Sequence, residues 1–302
     1  MEPQARDRSL EKAVEGKRSG TRIVIVIPTL NECEAVGNVL DGIKDVLDGY
    51  EYRMLVVDGH SIDGTDEIAR KKGAEVIYQR GRGYGDALKT GFFHARKRLD
   101  AGVIVMMDAD LSYDPKDIPD LVAPILKDEA DLVVGNRFAG MQKGAMSLVN
   151  RVGNRLLSLV AKLALRLNLF DTQSGMRAFR SELLDSMNMV TGGMPFAIEM
   201  LAEALNADAR IHETPISYRP RVGKTKLNPI KDGGRILGIT LRLMFDTQPL
   251  LFFGGIGTVL GMAGLFLHAI SGTLVFPFLF MIGAIPLFTL GLVISIIKRL
   301  KR

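Results

Sequence analysis

The stretch VIVMMDADLSYDP, residues 103–115, joins an apolar run to two carboxylates, Asp108 and Asp110, that are separated by one alanine. The apolar run predicts a strand buried on both faces of a sheet. Similar apolar runs occur at Ile23–Ile27 and Arg53–Val57, and each is followed by a segment of helical character. Because strands and helices alternate and the strands are continuously apolar, the sequence predicts an α/β fold with a mainly parallel sheet covered on both faces.

Polar side chains follow the apolar runs at the points where the predicted strands end. In a parallel sheet these ends share one edge, and ligands bind in the crevice outside it. One cluster of this kind is equally consistent with a solvated turn or a helix cap, but four clusters together favour a binding site. The clusters are Asn31 with Glu32, Asp58 with His60 and Asp63, Asp108 with Asp110, and Asn136 with Arg137.

Asp108 and Asp110 lie two positions apart, so in an extended chain their side chains leave on the same side. Such a pair can converge on a hard cation. Mg²⁺ and Mn²⁺ typically take one or two carboxylates together with phosphate oxygens of the substrate. A general acid and base for glycoside hydrolysis is the rival interpretation, but it needs carboxylates about 5 Å or more apart on opposite sides of a bond. We therefore predict that Asp108 and Asp110 are metal ligands.

The motifs of other phosphate-binding enzymes are missing. The sequence contains no G-x-x-x-x-G-K-[ST], and GRGYGD, residues 81–86, departs from G-x-G-x-x-G at its last position. A dinucleotide enzyme or a P-loop ATPase is therefore not expected. This glycine-rich loop can still approach a nucleotide sugar closely, with Asp86 as a candidate contact; the alternative is an ordinary strand-to-helix turn capped by Asp86.

The composition limits the classes of protein that the chain can belong to. It has 302 residues, of which 47% are hydrophobic and 24% charged, enough for one sizeable domain and a smaller part. Cys33 is the single cysteine and the four histidines are not clustered, which excludes an intramolecular disulfide framework and argues against a zinc site. Residues 1–20 are charged and lack an apolar core, so they predict a flexible lead-in rather than a signal peptide.

The C-terminal region carries no Asp, Glu, Lys or Arg from Thr247 to Ile297. Two apolar runs, Pro249–Ile270 and Leu274–Ile297, each approach the roughly 20 residues that a membrane-spanning helix needs. We predict a transmembrane hairpin within residues 248–302; a buried hairpin of a soluble core is the alternative. Basic flanks on both sides place both ends in the cytoplasm, and the hairpin could also pack against a second copy of the chain.

The positive charge is concentrated in the second half of the chain, where no acidic residue occurs from Leu132 to Phe170. Residues 150–168 read as a helix, and its basic side chains fall within about 60° of arc at 3.6 residues per turn. A basic amphipathic helix of this kind lies in a membrane interface; the alternative is the solvated basic face of a core helix. The basic residues are Arg151, Arg155, Lys162 and Arg166.

Several motifs, taken in order, carry a resemblance to a known family. IVIPTLNE, VVDGHSIDGT and MMDADLSYDP resemble the inverting nucleotide-sugar glycosyltransferases of family 2. GNRF, DTQSGMRAF and RVGKTKL narrow the resemblance to polyprenyl-phosphate (dolichyl-phosphate) sugar synthases, and RFAGMQKGAMSLVNRVGNRL is similar to archaeal dolichyl-phosphate hexosyltransferases of N-glycosylation. The resemblance spans residues 21–230 and implies a GT-A domain at 21–228, followed by a juxtamembrane amphipathic segment at 229–247 and the hairpin.

The resemblance implies a nucleotide site at the ends of the first two strands. Pro28, Asn31 and Glu32 would hold the base and ribose, Asp58 would contact the base, and Asp108 and Asp110 would face the diphosphate through Mg²⁺ or Mn²⁺. Two positions depart from the pattern of many relatives. His60 stands where a serine or glycine is common, so the base is left open, and Ser112 stands where a glutamine can help bind metal, which leaves the third protein ligand open.

The acceptor of such an enzyme is a polyprenyl phosphate, whose phosphate lies at the membrane surface and suits charge-assisted hydrogen bonds from arginine. Candidate residues for this phosphate are Arg137, Arg151, Asn154, Arg155 and Lys226. In the resemblance Arg221 and Lys226 neutralise the leaving group. Candidates for positioning the sugar or the acceptor are Asp171, Gln173, Ser174 and Glu199.

The acceptor phosphate is already an oxyanion at neutral pH, because its second pKa is near 6. We therefore predict one in-line displacement with inversion, helped by positioning and by charge, and Glu199 is favoured as a positioning residue over a general base. The absence of Q-x-x-R-W implies that one sugar is added to each acceptor.

The predicted protein is a cytoplasmic-face membrane enzyme whose partners are a nucleotide sugar, dolichyl or polyprenyl phosphate and membrane lipid. The favoured donor is a UDP-hexose or UDP-N-acetylhexosamine, with GDP-mannose as the alternative. Nucleic acid is disfavoured as a partner because no aromatic stacking platform accompanies the basic residues and because the predicted hairpin tethers them to a membrane. Two further alternatives are a sugar-phosphate nucleotidyltransferase, which usually carries G-x-G-T-R after its first strand, and an inactive membrane scaffold, which would have lost Asp108 and Asp110.

Overall fold

The structure, a computed structural model, describes residues 20–223 and 229–300 of the chain. The chain divides into two compact units. The first consists of Met1–Leu159 and Asn168–Ile236, and the second of Val160–Leu167 and Leu237–Arg302.

The first unit is built on a seven-stranded sheet with helices between the strands. The strands are β1 (Ile23–Thr29), β2 (Tyr52–Asp58), β3 (Glu75–Tyr78), β4 (Val103–Met106), β5 (Leu132–Met141), β6 (Arg177–Arg180) and β7 (Ile211–Tyr218). The helices of the described chain are α1 (Val36–Val46), α2 (Thr65–Lys71), α3 (Tyr84–Arg98), α4 (Ile118–Leu126), α5 (Leu148–Leu165), α6 (Phe196–Asn206), α7 (Pro229–Thr247), α8 (Pro249–Ser271) and α9 (Val275–Leu300).

The strand order in the sheet is β3-β2-β1-β4-β6-β5-β7. Strand β6 pairs antiparallel with β4 and with β5, whereas the other neighbouring pairs are parallel. The predicted α/β fold with a mainly parallel sheet is therefore confirmed. Because β6 runs against its neighbours, the loop before it reaches the same edge of the sheet at which β4, β5 and β7 end.

The central strands are buried because their sequences are apolar at every position, and alternate side chains serve the two faces of the sheet. Ile25 and Ile27 of β1 join the core cluster formed with α1 and α4. On the other face α3 approaches the sheet at Gly91, where a Cβ atom would lie 2.5 Å from a methyl carbon of Val26. Only glycine permits this approach, which brings the beginning of α3 close to the sheet edge.

Strand β6 and the segment after it are not apparent from the sequence. Within DTQSGMRAF and the residues after it, Arg177–Arg180 forms strand β6 and Ser181–Asp185 forms a short 3-10 turn. Four residues are too few to show a periodic pattern, so sequence periodicity does not detect this strand.

The second unit contains two apolar helices that could cross a membrane. Pro249–Ser271 and Phe280–Ile297 are long and apolar enough, and most of their residues are exposed. The two helices pack closely where Phe288 of α9 lies against Gly254 and Gly257 of α8. The prediction of two C-terminal apolar helices is thus confirmed.

Candidate active site

Three loops at the carboxyl edge of the sheet contain non-glycine residues in the left-handed backbone region. They are Asn31 after β1, His60 after β2 and Leu111 after β4, with φ of 51°, 65° and 63°. Left-handed backbone is uncommon outside glycine, and for a branched residue such as leucine it is a strained conformation. Strain of this kind is found mainly at functional sites, where the surrounding structure maintains it.

The two predicted metal ligands lie at this edge, directly after β4. The hydroxyl of Tyr84, at the start of α3, donates to Oδ1 of Asp108 over 2.9 Å. The backbone N–H of Ser112 donates to Oδ1 of Asp110 over 3.0 Å, and the Ser112 hydroxyl donates to the same oxygen. Ser112 therefore supports Asp110 where the relatives' glutamine would stand.

Burial, together with the negative charge of Asp110, raises the pKa of Asp108 to about 7. A divalent cation beside this pair would remove the repulsion that raises the pKa, and carboxylate oxygens are the ligands that Mg²⁺ and Mn²⁺ prefer. Within the described residues no three His, Cys, Asp or Glu side chains are grouped as a metal site. Asp108 and Asp110 thus fit a hard divalent cation.

Arg221 lies beside the same carboxylates. Its Nη2 is 3.4 Å from Oδ2 of Asp110 and 3.5 Å from Oε1 of Glu32. The segment that carries it is anchored by Val222 N–H, which donates to the Asp110 carbonyl over 2.9 Å. Among the described residues, Nε of Arg221 is the one buried side-chain nitrogen or oxygen without a hydrogen-bond partner. An anion at this position would satisfy it.

The residues predicted to bind the nucleotide tie the first two loops together. The side chain of Asp58 is buried; its carboxylate accepts from Ser61 N–H at 2.7 Å, from the Ser61 hydroxyl at 2.6 Å and from the Thr29 hydroxyl at 3.0 Å. Asn31 Oδ1 accepts from Ile62 N–H over 2.9 Å. Pro28 lies within β1, paired with Val57 of β2. In this conformation the buried Asp58 carboxylate shapes the loop through these three hydrogen bonds.

The glycine-rich loop packs directly on a second loop, residues 190–193. A Cβ atom on Gly83 would lie 2.6 Å from the Gly192 carbonyl oxygen, and one on Gly85 would lie 2.7 Å from the Thr191 carbonyl oxygen. Asp86 closes the glycine-rich loop, because its carboxylate accepts from Gly81 N–H over 2.7 Å.

The carboxylate of Glu199 holds the same second loop. It accepts from Val190 N–H at 3.0 Å and from Thr191 N–H at 2.9 Å. The loop that this carboxylate holds packs against Gly83 and Gly85, on either side of Tyr84.

Arg137 forms the cationic centre of the site and is buried. Its Nε lies 2.7 Å from Oδ2 of Asp171 and its Nη2 lies 2.8 Å from Oδ1, a bidentate pair in which Asp171 is fully buried. Nη2 is also 3.4 Å from Oδ1 of Asn154 on α5, and the guanidinium stands 5.4 Å from the centre of the Tyr218 ring. Asp171 thus fixes Arg137, and the described contacts of Arg137 are all with other residues of the protein.

Glu213 on β7, which the sequence analysis did not single out, fixes the loop that carries Asp171. Its carboxylate accepts from the N–H groups of Phe170 and Asp171, both at 2.8 Å, and from the side-chain amide of Asn136 at 3.0 Å. Burial raises the pKa of Glu213. Nothing in the local sequence IHETPISY distinguishes this glutamate, because its partners lie more than forty residues away along the chain.

Arg177 is a second residue that the sequence analysis missed. It is fully buried and donates to the carbonyl oxygens of Thr172, Ser174 and Ala197 over 2.9, 3.0 and 2.7 Å. Burial lowers its pKa to about 10. Arg177 therefore joins the 171–175 loop to the first turn of α6.

The 171–175 loop itself reaches Asp108. A Cβ atom on Gly175 would lie 3.0 Å from Oδ2 of Asp108, and Gly175 N–H donates to the Tyr113 hydroxyl over 2.7 Å. Ser174 is fully buried, and Gln173 Nε2 donates to the Thr172 hydroxyl over 3.0 Å. The predicted positioning residues of this loop therefore lie beside the site, and their described hydrogen bonds are with other residues of the protein.

The predicted acceptor residues of α5 divide between two sides of the helix. Asn154 faces Arg137, whereas Arg151 and Arg155 are exposed. Phe138 directly follows Arg137 in the chain, and the Arg155 guanidinium lies 5.3 Å from the centre of the Phe138 ring. Lys226, also predicted to bind phosphate, lies outside the described residues.

Comparison with known proteins gives three concordant results. The model of the family "Glycosyl transferase family 2" matches residues 24–187. Glycosyltransferase AglJ of Haloferax volcanii is 34% identical over 237 residues, covering 78% of this chain and 76% of the relative. The dolichyl-phosphate hexose transferase of the same organism is 37% identical over 216 residues, covering 71% of this chain and 90% of the relative.

The fold is shared with a solved enzyme structure. Glucosyl-3-phosphoglycerate synthase of Mycobacterium tuberculosis, in complex with Mn²⁺, UDP-glucose and phosphoglyceric acid, has a TM-score of 0.62 at 24% identity and covers 78% of this chain and 82% of its own. At this level of identity the likeness shows the fold alone. It is a GT-A-like fold, as the sequence predicted.

Proposed function

The chain belongs to glycosyl transferase family 2, and we propose that it transfers one sugar from a nucleotide sugar to dolichyl or polyprenyl phosphate. The product is a lipid-linked monosaccharide for protein N-glycosylation. The favoured donor is a UDP-hexose or UDP-N-acetylhexosamine, with GDP-mannose as the alternative. The name of the dolichyl-phosphate hexose transferase relative supports the acceptor class.

One observation carries the proposal: the 171–175 loop connects a buried, fixed arginine to the carboxylate pair. Asp171 at one end of the loop holds Arg137, and at the other end a Cβ atom on Gly175 would lie 3.0 Å from Oδ2 of Asp108. A transferase that joins two phosphate-bearing substrates needs this arrangement, with one charged group for each. Asp108, Asp110 and Arg221 form the donor side of the site, and Arg137, Asn154 and Arg155 form the acceptor side.

The mechanism follows from the charges of the substrates. The acceptor phosphate is an oxyanion near neutral pH and attacks the anomeric carbon without needing a general base. Arg137, held rigidly by Asp171, orients this phosphate, and Arg221 neutralises the departing diphosphate, which its unpartnered Nε can bind. Inversion results from a single in-line displacement.

Asp108 and Asp110 would hold Mg²⁺ or Mn²⁺ in the working enzyme. When bound, the cation supplies positive charge that neutralises the diphosphate of the donor. The Mn²⁺ in the complex of the mycobacterial synthase supports a divalent cation. The hydrogen bonds from Tyr84 and Ser112 would fix the orientation of the two carboxylates that hold it.

The remaining segments of the chain also have proposed locations and roles. We place the catalytic domain at residues 21–228 and both termini on the cytoplasmic side of the membrane, with the hairpin of residues 248–302 as the anchor and residues 229–247 as a juxtamembrane segment. The two candidate spans support the anchor. A homo-oligomer formed through the hairpin is compatible with this arrangement.

The test is transfer of radiolabel into organic-extractable lipid by the detergent-solubilised protein. It is offered undecaprenyl phosphate, Mg²⁺ or Mn²⁺, and in parallel UDP-glucose, UDP-N-acetylglucosamine or GDP-mannose. We expect label from one donor that disappears with a chelator and in Asp110→Ala. A folded protein that binds nucleotide but transfers no label from any donor would overturn the proposal and favour an inactive scaffold. Release of pyrophosphate from a nucleoside triphosphate and a sugar phosphate would instead indicate a nucleotidyltransferase.

A further inference from the structure

A surface cavity of about 460 Å³ lies beside the edge strand β3 and helix α3. Its lining includes Tyr78 of β3, Arg80 shortly after that strand, and Lys89, Thr90 and Phe93 of α3. This volume is in the range of cavities that hold small molecules, which combine apolar or aromatic walls with a few polar groups. The cavity is thus large enough for a ligand of its own.

The cavity is separate from the site around Asp108 and Asp110. Tyr84, at the start of α3, points to Asp108. At about 100° and about 1.5 Å per residue, Phe93 leaves α3 on the side opposite to Tyr84, about 14 Å further along the helix axis. Lys89 leaves the helix about 40° from Phe93. A ligand in the cavity would therefore bind behind α3 and away from the carboxylate pair.

The groups that line the cavity suit an anion attached to a flat ring. Arg80 is exposed, and among the described residues its guanidinium has no hydrogen bond or ion pair. Lys89 brings a second positive charge, and arginine and lysine are the usual phosphate ligands in proteins. Phe93 is 59% exposed and makes no ring contact within the described part of the chain, so its ring is available for stacking.

Three residues of the cavity wall each contact a different loop of the proposed active site. Lys89 Nζ donates to the carbonyl oxygen of Val190 over 2.9 Å. The Asp86 carboxylate accepts from a backbone N–H of the glycine-rich loop over 2.7 Å. The Tyr78 ring stacks on His60, in the loop after β2, with 5.4 Å between the ring centres and 7° between the planes. A change at the cavity wall is therefore transmitted directly to these three loops.

We propose that the cavity is an effector site for a small phosphorylated ring compound of the nucleoside monophosphate class, whose phosphate binds Arg80 and Lys89 and whose ring stacks on Phe93. A phosphate attracts the Lys89 ammonium group more strongly than the Val190 carbonyl does, because both partners of the new pair carry a full charge. Binding therefore draws Lys89 away from the loop of residues 190–193.

Occupation of the cavity has a consequence for sugar transfer, and this part of the inference rests on the proposed function. When Lys89 turns to the phosphate, the loop of residues 190–193 loses one anchor, while the Glu199 carboxylate still holds it. The loop packs on the glycines that flank Tyr84, whose hydroxyl donates to Asp108. A looser loop leaves Tyr84 and Asp108 less well fixed, so the ligand should slow transfer.

The first test concerns binding alone. The chain contains no tryptophan, so F93W places a single reporter in the cavity. The matched control is N38W, at an exposed residue of α1 on the other face of the sheet. Both full-length variants are titrated in detergent with adenosine monophosphate (AMP), with EDTA present so that no divalent cation supports binding at the carboxylate pair. We expect AMP to change the emission of F93W and to leave that of N38W unchanged.

The parts of the ligand are tested in the same titration. Adenosine and ribose 5-phosphate should each bind at least about tenfold more weakly than AMP, because each lacks one of the two groups that the cavity recognises. R80Q/F93W should bind AMP roughly tenfold more weakly than F93W, equivalent to about 1.4 kcal/mol. R53Q/F93W, which removes an exposed arginine at the beginning of β2, should bind AMP as F93W does.

Two results would overturn the effector site. One is an F93W reporter that does not respond to AMP, together with no heat of AMP binding to the unmodified protein in EDTA; the calorimetry guards against a tryptophan that fills the cavity itself. The other is a reporter that responds to an acidic peptide and not to AMP, since the occupant would then be a protein.

The second test joins the cavity to sugar transfer. The lipid-label assay is run with Mg²⁺ and saturating donor, with and without AMP, on R80Q and on R53Q. We expect AMP to lower kcat of R53Q roughly fivefold, at the lower end of ordinary coupling between sites, and to have little effect on R80Q. Equal competition with the donor in both variants would refute regulation through the cavity. Failure of the unmodified protein with every donor would refute the proposed function, while the reporter titration would still decide the effector site.

Discussion

Removing Asp171 should destabilise the first unit far more than removing a carboxylate from an exposed ion pair. The Asp171 carboxylate is fully buried and receives Nε and Nη2 of Arg137, the backbone N–H of Arg137 at 3.1 Å and that of Gln173 at 3.3 Å. In Asp171→Ala the Arg137 cation stays buried without a counter-ion. Breaking a buried pair from one side costs about 3–5 kcal/mol, because the remaining charge cannot be resolvated.

The same reasoning predicts that removing both charges restores stability without restoring function. Arg137→Met/Asp171→Asn removes both charges and keeps a side-chain oxygen that can accept from a backbone N–H group of the loop, and replacing a buried ion pair by uncharged groups of similar volume is often neutral in stability. We therefore expect the double variant to unfold near the wild-type temperature and to be inactive, because the acceptor phosphate has lost its arginine.

The assay is thermal unfolding of the detergent-solubilised full chain, followed by circular dichroism, together with the lipid-label assay. Asp185→Ala is the control, since Asp185 pairs with Arg96 over 2.8 Å on the surface. Surface pairs contribute little. An Asp171→Ala protein as stable as Asp185→Ala would refute the buried pair, and a double variant as unstable as Asp171→Ala would show that the charge is not the cause.

Four further predictions concern the donor side. Gly175→Ala should reduce transfer at least about tenfold while nucleotide binding persists, because the new Cβ would lie 3.0 Å from an oxygen of Asp108; unchanged activity would contradict the close approach of this loop. Arg221→Gln should lower kcat about 100-fold, whereas Arg98→Gln on α3 should not, and equal rates would remove Arg221 from the mechanism. Affinity for Mn²⁺, measured by calorimetry, should fall as pH drops below about 7, where Asp108 takes up a proton. A Mn²⁺ affinity that does not change with pH across pH 6–7 would contradict the raised pKa. Because the pKa of Asp108 is raised in the folded state, the stability of the metal-free protein should fall as pH rises from 3.8 to about 7.

The features that the sequence predicted well are those expressed in a local pattern. The apolar runs of β1, β2 and β4 and the uncharged C-terminal region are continuous in sequence, so burial of the strands and the two apolar helices could be predicted from composition alone. The polar residues after these strands were brought to one edge because parallel strands end together.

The features that the sequence did not predict depend on distant partners. Strand β6 has four residues and gains its place from pairing with β4 and β5. Glu213 and Arg177 act by bonding to backbone atoms of the 170–175 loop, and backbone partners leave no trace in residue type. Tyr84 belongs to a glycine-rich loop in which the glycines, and not the tyrosine, form the recognisable pattern. The contact of the Tyr84 hydroxyl with Asp108 depends on how α3 packs on the sheet.

Because β6 runs antiparallel to its neighbours, the loop before it enters the site from the carboxyl edge of the sheet. In the proposed enzyme, residues from β1 to Ser112 therefore supply most of the donor side, and the segment from Arg137 to β6 supplies the acceptor side. Under the proposed function, the specificities for donor and acceptor are carried by largely separate stretches of the chain. A chimera that exchanges only residues 137–177 between relatives should therefore change the lipid used while retaining the sugar, so that acceptor and donor preferences can be recombined separately.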